Sequence, residues 1–473
     1  MANTVTNHKI AHKGASVIID RALRYVEKNP EKNLLKMARI AKKLAGDTFP
    51  ENAYKGMVNL ASDKDNTWHK FTMRLLDEVD HNVIKKSLLA FGLHGAVYGT
   101  KEVRTNREKY GCNIPFLILF DPTSSCNLKC KGCWSAEYDR KLNLSMDEMR
   151  SIVAQGKQLG THMYLMTGGE PLMRKKDILT LAEENQDCVF LAFTNGTLVD
   201  EEFAKRLKEV GNLILAISIE GNIETTDARR GNGVYQRARN AMALLKEQKC
   251  LFGISVCYTR QNLDTVVSDE FLDDMIESGV RFGMYFHYMP VGTGADKEML
   301  LTPSQREKIY HRIREMRTSK GGKPMFLMDF QNDGEFVGGC IAGGRNYFHI
   351  NSAGDMEPCV FIHYSDSNIR EKSILDALKS PLFMAYYHNQ PFNDNHLRPC
   401  PMLENPSMLR RIVSEAGAHS TDMIAKESAD ALCDKCESYA KNWKQTAEKL
   451  WLSNDHYRPF TQYYRDLPEG EDK

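Results

Sequence analysis

Three cysteines that lie within eight residues of one another, Cys126, Cys130 and Cys133, are the residues best placed to do chemistry. Three thiolates can hold three irons of a cubane iron–sulfur cluster and leave the fourth iron open to another ligand. A tetrahedral zinc site needs four ligands, and no histidine lies between Cys126 and Tyr138 to supply the fourth locally. The spacing therefore favours an iron–sulfur cluster, with a Cys₃His zinc site as the alternative.

A second group of cysteines occupies the last third of the chain, at Cys340, Cys359, Cys400, Cys433 and Cys436. Residues 350–359 predict a β-hairpin that turns at Gly354. Cys340 and Cys359 could complete a metal site with the pair Cys433 and Cys436, and Cys400 would be a spare or alternative ligand. Four thiolates also suit zinc, so a structural zinc site is the alternative. The other cysteines are interpreted as small apolar residues: Cys112, Cys188, Cys250 and Cys257.

The elements that must position these residues follow a regular pattern between residues 115 and 291. Six short apolar runs alternate with helical stretches, at 116–120, 163–166, 189–193, 213–219, 254–258 and 284–288. This alternation predicts an α/β fold with a parallel sheet and helices outside it. Because six units are too few for a closed eight-stranded barrel, we expect a partial (β/α)₆ TIM-like barrel, with chemistry at the carboxyl ends of the strands.

Two regions of different character flank this pattern. Residues 1–110 predict an N-terminal helical region, residues 111–300 form the expected barrel, and residues 301–473 predict a small, irregular, cysteine-rich C-terminal domain. A capping box at Ser145 and a second one at Thr302, which is followed by Pro303, predict helix starts.

Charge is distributed unevenly along the chain. The first 110 residues hold 20 Lys and Arg but 12 Asp and Glu, which gives +8 and leaves −7 for the rest of a chain of net charge +1. This basic region predicts a peripheral contact with an anionic membrane, or only a solvated helical surface; a nucleic-acid partner is not expected. No signal peptide and no membrane-length apolar run is present, so we expect a cytoplasmic protein with, at most, a peripheral membrane association.

The cysteine triad, spaced Cys-x₃-Cys-x₂-Cys after the first predicted strand, resembles the signature of the radical S-adenosylmethionine (SAM) superfamily. Gly168, Gly169 and Glu170 end the second strand and resemble the family's GGE loop, which implies binding of the SAM amino group. Two glycines allow close approach of the main chain, and a carboxylate suits an ammonium.

Later motifs match the same family in the same order. Asn195 lies in a TNGT turn after the third strand, and Ser218 and Glu220 end the fourth, where the family binds ribose hydroxyls. Arg229 and Arg230 resemble the arginine that pairs with the SAM carboxylate, with Arg230 slightly preferred, and Met289 and Val291 resemble the adenine-lining segment. The pattern departs at Gly132, where the family usually has an aromatic residue against adenine; Trp134 follows the triad instead.

The resemblance implies a radical enzyme. A [4Fe–4S] cluster would cleave SAM reductively, with an electron donor of the flavodoxin or ferredoxin type, and the resulting radical would abstract a substrate hydrogen atom. The C-terminal cysteines resemble SPASM or twitch extensions, and five cysteines instead of seven imply one auxiliary [4Fe–4S] cluster. The substrate is expected to be a peptide, a protein or a lipid. The competing hypothesis is a non-catalytic zinc or iron–sulfur adaptor or redox sensor.

Overall fold

The computed structural model describes residues 2–45, 51–292 and 294–453. Residues 454–473, which end the predicted C-terminal domain, lie outside the described part, as do residues 1, 46–50 and 293. The N-terminal region is helical, as predicted: α1 (Ala2–Lys28), α2 (Pro30–Ala45), α3 (Glu51–Ser62), α4 (Thr67–Glu78), α5 (His81–Ser87), a π-helix (Leu88–Gly99) and α6 (Thr100–Tyr110).

A single large sheet forms the centre of the molecule. Its strands are β1 (Leu117–Thr123), β2 (Met163–Gly168), β3 (Val189–Thr194), β4 (Leu213–Ser218), β5 (Phe252–Tyr258), β6 (Phe282–His287), β7 (Phe326–Asp329), β8 (Tyr347–Ile350) and β9 (Met356–Glu357). The order is β7-β6-β5-β4-β3-β2-β1-β8-β9, and only β9 runs antiparallel to its neighbour. The described sheet is open, with β7 and β9 at its edges, and the α/β prediction is confirmed.

Two parallel strands extend the sheet beyond the six predicted ones. β7 pairs with β6, and β8 pairs with β1, although both come from residues beyond 300. Each is only four residues long, and a single turn of helix lies between them. The regular alternation of strands and long helices therefore ends earlier in the sequence than the sheet does. The hairpin β8–β9 turns at Gly354, whose φ of +89° favours glycine, as the sequence predicted.

The remaining helices cover the sheet or build the C-terminal part. The first group is α7 (Met146–Leu159), α8 (Lys175–Glu184), α9 (Glu201–Val210), α10 (Ile223–Arg230), α11 (Val234–Glu247), α12 (Leu263–Val266), α13 (Asp269–Glu277) and α14 (Pro303–Met316). The second is α15 (Gly334–Val337), α16 (Ile374–Leu378), α17 (Pro381–Asn389), α18 (Pro406–Ala416) and α19 (Ala429–Ser453), with the strand pair β10 (Tyr364–Ser365) and β11 (His419–Ser420). Both predicted capping boxes are present, at Ser145 and Thr302.

Alternating side chains of the strands pack on opposite faces of the sheet. Ile118 and Phe120 of β1 face the outer helices, whereas Leu117 and Leu119 face the inner side and the C-terminal part. Both faces are therefore buried, which explains why the strands appear in the sequence as continuous apolar runs.

The N-terminal helices close the amino ends of the strands. The Asp80 amide donates to the Lys249 oxygen before β5, Lys86 donates to the Val210 oxygen before β4, and Asn106 donates to the Leu159 oxygen before β2. The carboxyl ends of the strands are left for the candidate site. None of the described helices is both long enough and apolar enough to cross a membrane.

Candidate active site

The cysteine loop leaves the carboxyl end of β1. Arg140 holds it by donating from Nη1 to the main-chain oxygens of Cys126 (3.2 Å) and Leu128 (2.8 Å). None of the three thiols is in a disulfide, and all three are partly exposed. Burial raises the pKa of Cys126 to about 11 and also raises the pKa of Cys130, so these thiols need a cationic partner to ionise. Iron in a cluster would supply it, and the loop fits this group.

The GGE loop packs directly on the cysteine loop. Gly169 donates its amide to the Thr123 oxygen (3.0 Å), and Glu170 donates its amide to the Ser125 oxygen (2.8 Å). A Cβ on Gly169 would overlap the main-chain oxygens of Ser124 and Ser125, so no larger residue fits. Gly168 has φ +100°, which favours glycine. The two glycines are therefore required by the close approach of two loops.

Glu170 connects the end of β2 to the turn after β3. Its carboxylate accepts hydrogen bonds from the Thr194 hydroxyl (2.6 Å) and from the amides of Asn195 (2.8 Å) and Leu172 (2.9 Å). Burial raises its pKa, and these hydrogen bonds act against the rise. The Asn195 side chain in turn donates to Asn127 of the cysteine loop (2.9 Å). The structure therefore brings together residues that the sequence placed at the ends of three different strands.

Glu220 and two arginines form a buried charged group beyond the end of β4, whose last residue is Ser218. Arg229 Nη1 (2.7 Å) and Arg230 Nε (2.8 Å) both contact Glu220 Oε1, and the Cys257 amide donates to Oε2 (3.1 Å). The Arg229 Nε is buried without a hydrogen-bond partner in the described structure. Two guanidinium groups share one carboxylate, so the group keeps a net positive charge that suits a bound carboxylate.

Two further residues lie at this end of the sheet. No role was predicted for Tyr288, and Cys257 was interpreted as a small apolar residue. A Cβ on Gly132 would lie 2.6 Å from Tyr288 Cε2, so the Tyr288 ring occupies the space beside Gly132. An aromatic ring from the segment after β6 therefore lies beside Gly132, next in sequence to Met289 and close to Val291 in the chain, both of which are buried. Cys257 is partly exposed; burial raises its pKa to about 11, and Arg229 opposes this rise.

An apolar cavity of about 520 Å³ lies between β7 and β8. Cys340, Cys359 and Cys400 line it together with Met289. Cys433 and Cys436 lie on α19, fully buried and outside this lining. Other lining residues are mostly apolar and include Trp68, Phe326, Met328, Phe330, Phe336, Val337, Tyr347 and Phe361.

Two phenols face the C-terminal thiols. The Tyr347 hydroxyl lies 2.7 Å from Cys359 Sγ. The Tyr386 hydroxyl is buried without a hydrogen-bond partner in the described part of the chain. Burial raises the pKa of Tyr386 well above its ordinary value, and the nearby thiols, Cys340, Cys359, Cys400 and Cys433, raise it further. This unpartnered donor among four thiols fits a sulfide-containing cluster, which would accept its hydrogen bond.

A buried polar network separates the two groups of thiols. His349 forms ion pairs with Asp121 (3.0 Å) at the end of β1 and with Glu357 (2.7 Å) in β9. Burial lowers the pKa of His349, but the two carboxylates outweigh this and raise it to about 10. The Trp134 ring lies edge-on to His349, with ring centroids 5.8 Å apart, and edge-on to Phe361 of the cavity wall. Trp134 thus stands between Cys133 and the cavity.

Comparison with known proteins agrees with this geometry. The profile of the radical SAM superfamily matches residues 120–272. An AdoMet-dependent heme synthase of Methanosarcina barkeri is 27% identical over 288 residues, which cover 55% of this chain and 81% of that protein. The mycofactocin maturase MftC of Mycolicibacterium smegmatis is 27% identical over 264 residues, 53% of this chain and 66% of the maturase.

A solved structure shares the fold. The crystal structure of Streptococcus suis SuiB superposes with a TM-score of 0.50 at 18% identity, over 74% of this chain and 80% of SuiB. The triad loop, the GGE loop and the arginine pair all lie at the carboxyl ends of the strands, where chemistry concentrates in such folds. Residues 120–272 therefore form a radical SAM domain, similar to that of the enzymes named above.

Proposed function

We propose that this enzyme binds a [4Fe–4S] cluster through Cys126, Cys130 and Cys133, cleaves SAM reductively and abstracts a hydrogen atom from an apolar substrate. When bound, the cluster supplies the electron that cleaves SAM into methionine and the 5′-deoxyadenosyl radical that attacks the substrate. The observation that carries the proposal is the packing of the GGE loop against residues 123–125, which lead directly into the loop with the three free thiols; there the Gly169 amide donates to the Thr123 oxygen.

The residues around the triad divide the recognition of SAM among them. Arg229 and Arg230 carry the excess positive charge that would pair with the SAM carboxylate, and Glu220 positions both guanidinium groups. The GGE loop, Gly168 to Glu170, would take the amino group. Ser218 would contact the ribose, and the buried segment that contains Tyr288, Met289 and Val291 would line the adenine.

We further propose one auxiliary [4Fe–4S] cluster, bound by Cys340, Cys359 and Cys400, with Cys433 as the fourth ligand. The unpartnered Tyr386 hydroxyl supports this set, because these four thiols all raise its pKa and the buried hydroxyl would donate to a sulfide. Cys436 is the nearest alternative ligand, since it lies one helical turn from Cys433 on α19. Zinc at these thiols is the competing outcome.

The lining of the cavity supports an apolar, uncharged substrate group. The charged side chains of the wall, Arg317 and Asp333, pair with each other at 2.6 Å, and Gln331 and Tyr347 are its other polar side chains apart from the thiols. An anionic substrate group would find no free counter-charge there. The named relatives are a heme synthase and a mycofactocin maturase, so their names point to different compounds. The cavity of this chain favours a hydrocarbon chain, as in a lipid, over a charged peptide.

Anaerobic reconstitution tests the proposal. With both clusters, we expect about eight iron and eight sulfide per chain. Dithionite and SAM should then give 5′-deoxyadenosine, and lipid extracts should raise its yield more than peptide mixtures. Cys130→Ala should abolish 5′-deoxyadenosine, whereas Cys250→Ala, a buried thiol outside both groups, should leave it unchanged. Tightly bound zinc without SAM cleavage would contradict the proposal.

A further inference from the structure

Between residues 14 and 28, the outward side of α1 carries apolar and basic side chains and no exposed acidic one. From residue 14 to 28 the exposed residues with side chains are Val17, Ile18, Arg21, Arg24, Tyr25 and Lys28. The two carboxylates of this stretch, Asp20 and Glu27, are partly buried and bind His81 of α5, at 3.0 Å and 2.8 Å, and Asp20 also pairs with Arg24 at 2.9 Å. Ile18 is 69% exposed and its neighbour Val17 is 50% exposed, so the two form an apolar patch on this side of the helix.

The π-helix that packs against α1 has an outward face without charge. Leu88, Phe91, Val97 and Tyr98 are all exposed, and Phe91 is 47% exposed. Leu88–Gly99 contains no Asp, Glu, Lys or Arg, and its histidine, His94, is buried. The opposite face of this helix packs through Ala90 against the inner side of the sheet, so the helix is firmly attached to the barrel.

We propose that the exposed faces of α1 and the π-helix form a membrane-binding surface that lies on an anionic lipid bilayer. Apolar side chains next to arginines and lysines, with carboxylates turned away, match an interfacial helix that inserts shallowly and meets anionic headgroups. The charge of the chain supports this occupant, because residues 1–110 carry +8 and the remainder carries −7. The inference is independent of the proposed chemistry.

An acidic protein would satisfy the basic side chains but would not need the charge-free face of the π-helix. A second copy of this chain would bring like charges together at Arg21, Arg24 and Lys28. The bilayer satisfies both components at once: Ile18 and Phe91 enter the headgroup region, and the basic side chains remain at the phosphates.

Vesicle co-sedimentation of the reconstituted full chain tests this inference. We expect binding to vesicles of phosphatidylglycerol and phosphatidylcholine, weakened by salt, and at least tenfold weaker binding to phosphatidylcholine alone. Ile18→Glu and Phe91→Glu should each lower binding to the mixed vesicles about tenfold or more. Leu452→Glu places the same charge on a residue that is 84% exposed on α19 and should leave binding unchanged.

The variants also separate this inference from the proposed function. All three should form 5′-deoxyadenosine at the wild-type rate with dithionite, because none of these residues lies at the strand ends. The inference would be overturned if the Ile18 and Phe91 variants bound mixed vesicles as strongly as wild type, or if the wild-type chain did not bind mixed vesicles at all. Binding to both vesicle types that does not depend on salt would also overturn it. So would concentration-dependent dimerisation that the same two substitutions abolish.

Discussion

Cys126, Cys130 and Cys133 lie among charged and amide groups on a partly exposed loop, whereas Cys340, Cys359 and Cys400 line an apolar cavity between β7 and β8. Arg229, Arg230 and Glu220 surround the first group. Phenols and phenylalanines surround the second. The polar end suits a zwitterionic nucleotide and contact with an electron donor, and the apolar end suits a hydrocarbon substrate. Under the proposed function, SAM cleavage would take place at the polar end and substrate binding at the apolar end.

Replacement of Cys359 should separate the two ends most strongly. Cys359→Ala removes a ligand of the proposed auxiliary cluster but leaves the triad loop intact. Iron should fall from about eight to about four per chain. The substrate product should be lost, while 5′-deoxyadenosine formation should stay within about twofold of wild type. Cys250→Ala is the matched control. Equal loss of SAM cleavage would show that the two ends do not work separately.

Glu220→Gln should weaken SAM binding by about 10- to 100-fold, as measured by equilibrium dialysis of the reconstituted enzyme. The carboxylate holds both guanidinium groups through Oε1, and without its charge they repel each other. Glu224→Gln is the control, because Glu224 is exposed on α10, the helix that carries both arginines. An unchanged affinity for SAM in the Glu220 variant would show that the two arginines do not contribute to SAM binding.

The polar end could be predicted from the sequence because its ligands are local. Cys126 to Cys133 occupy one loop, and the GGE and TNGT turns each follow a recognisable apolar strand. The six strands and both capping boxes were found for the same reason, since hydrophobic period and capping chemistry depend on neighbours in sequence.

The apolar end depends on contacts that spacing does not encode. Cys340 and Cys433 are about ninety residues apart in the sequence, and both raise the pKa of Tyr386 in the folded chain. The Tyr288 ring likewise lies beside Gly132 although the two residues are far apart in the sequence. The sequence around Gly132 therefore gave no sign of an aromatic ring at this position. β7 and the pairing of β8 with β1 were not predicted, because both short strands lie beyond the regular alternation of strands and helices. Tertiary packing, and not local pattern, decides these features.

Lys129 and Lys131, both exposed on either side of Cys130, should guide an acidic electron donor to the polar end. Lys129→Glu with Lys131→Glu should lower the rate of 5′-deoxyadenosine formation with a reduced flavodoxin or ferredoxin about tenfold at low salt. The rate with dithionite should not change. Lys176→Glu with Lys205→Glu, on the exposed outer sides of α8 and α9, is the control. Equal rates with the protein donor would place its docking surface elsewhere.

His349 should make the stability of the boundary between the two ends depend on pH. Its pKa of about 10 in the folded protein is above the value of about 6.5 expected after unfolding. The stabilisation is therefore complete below pH 6.5 and is lost as the pH rises through 10, by up to about 1.4 kcal/mol per pH unit. The charged or titratable groups around it are Asp121, Glu357, Tyr138, His363 and Asp422.

The measurement for His349 is the change of melting temperature between pH 7 and pH 9.5, and not the absolute value. In wild type the melting temperature should fall over this range, and in His349→Gln the fall should be smaller, because Gln carries no proton to lose. His311→Gln, at an exposed histidine of α14, should keep the wild-type slope. If His349→Gln kept the full slope, other groups would titrate there. The imidazolium would then not be what holds β1, β8 and β9 together between the two sets of thiols.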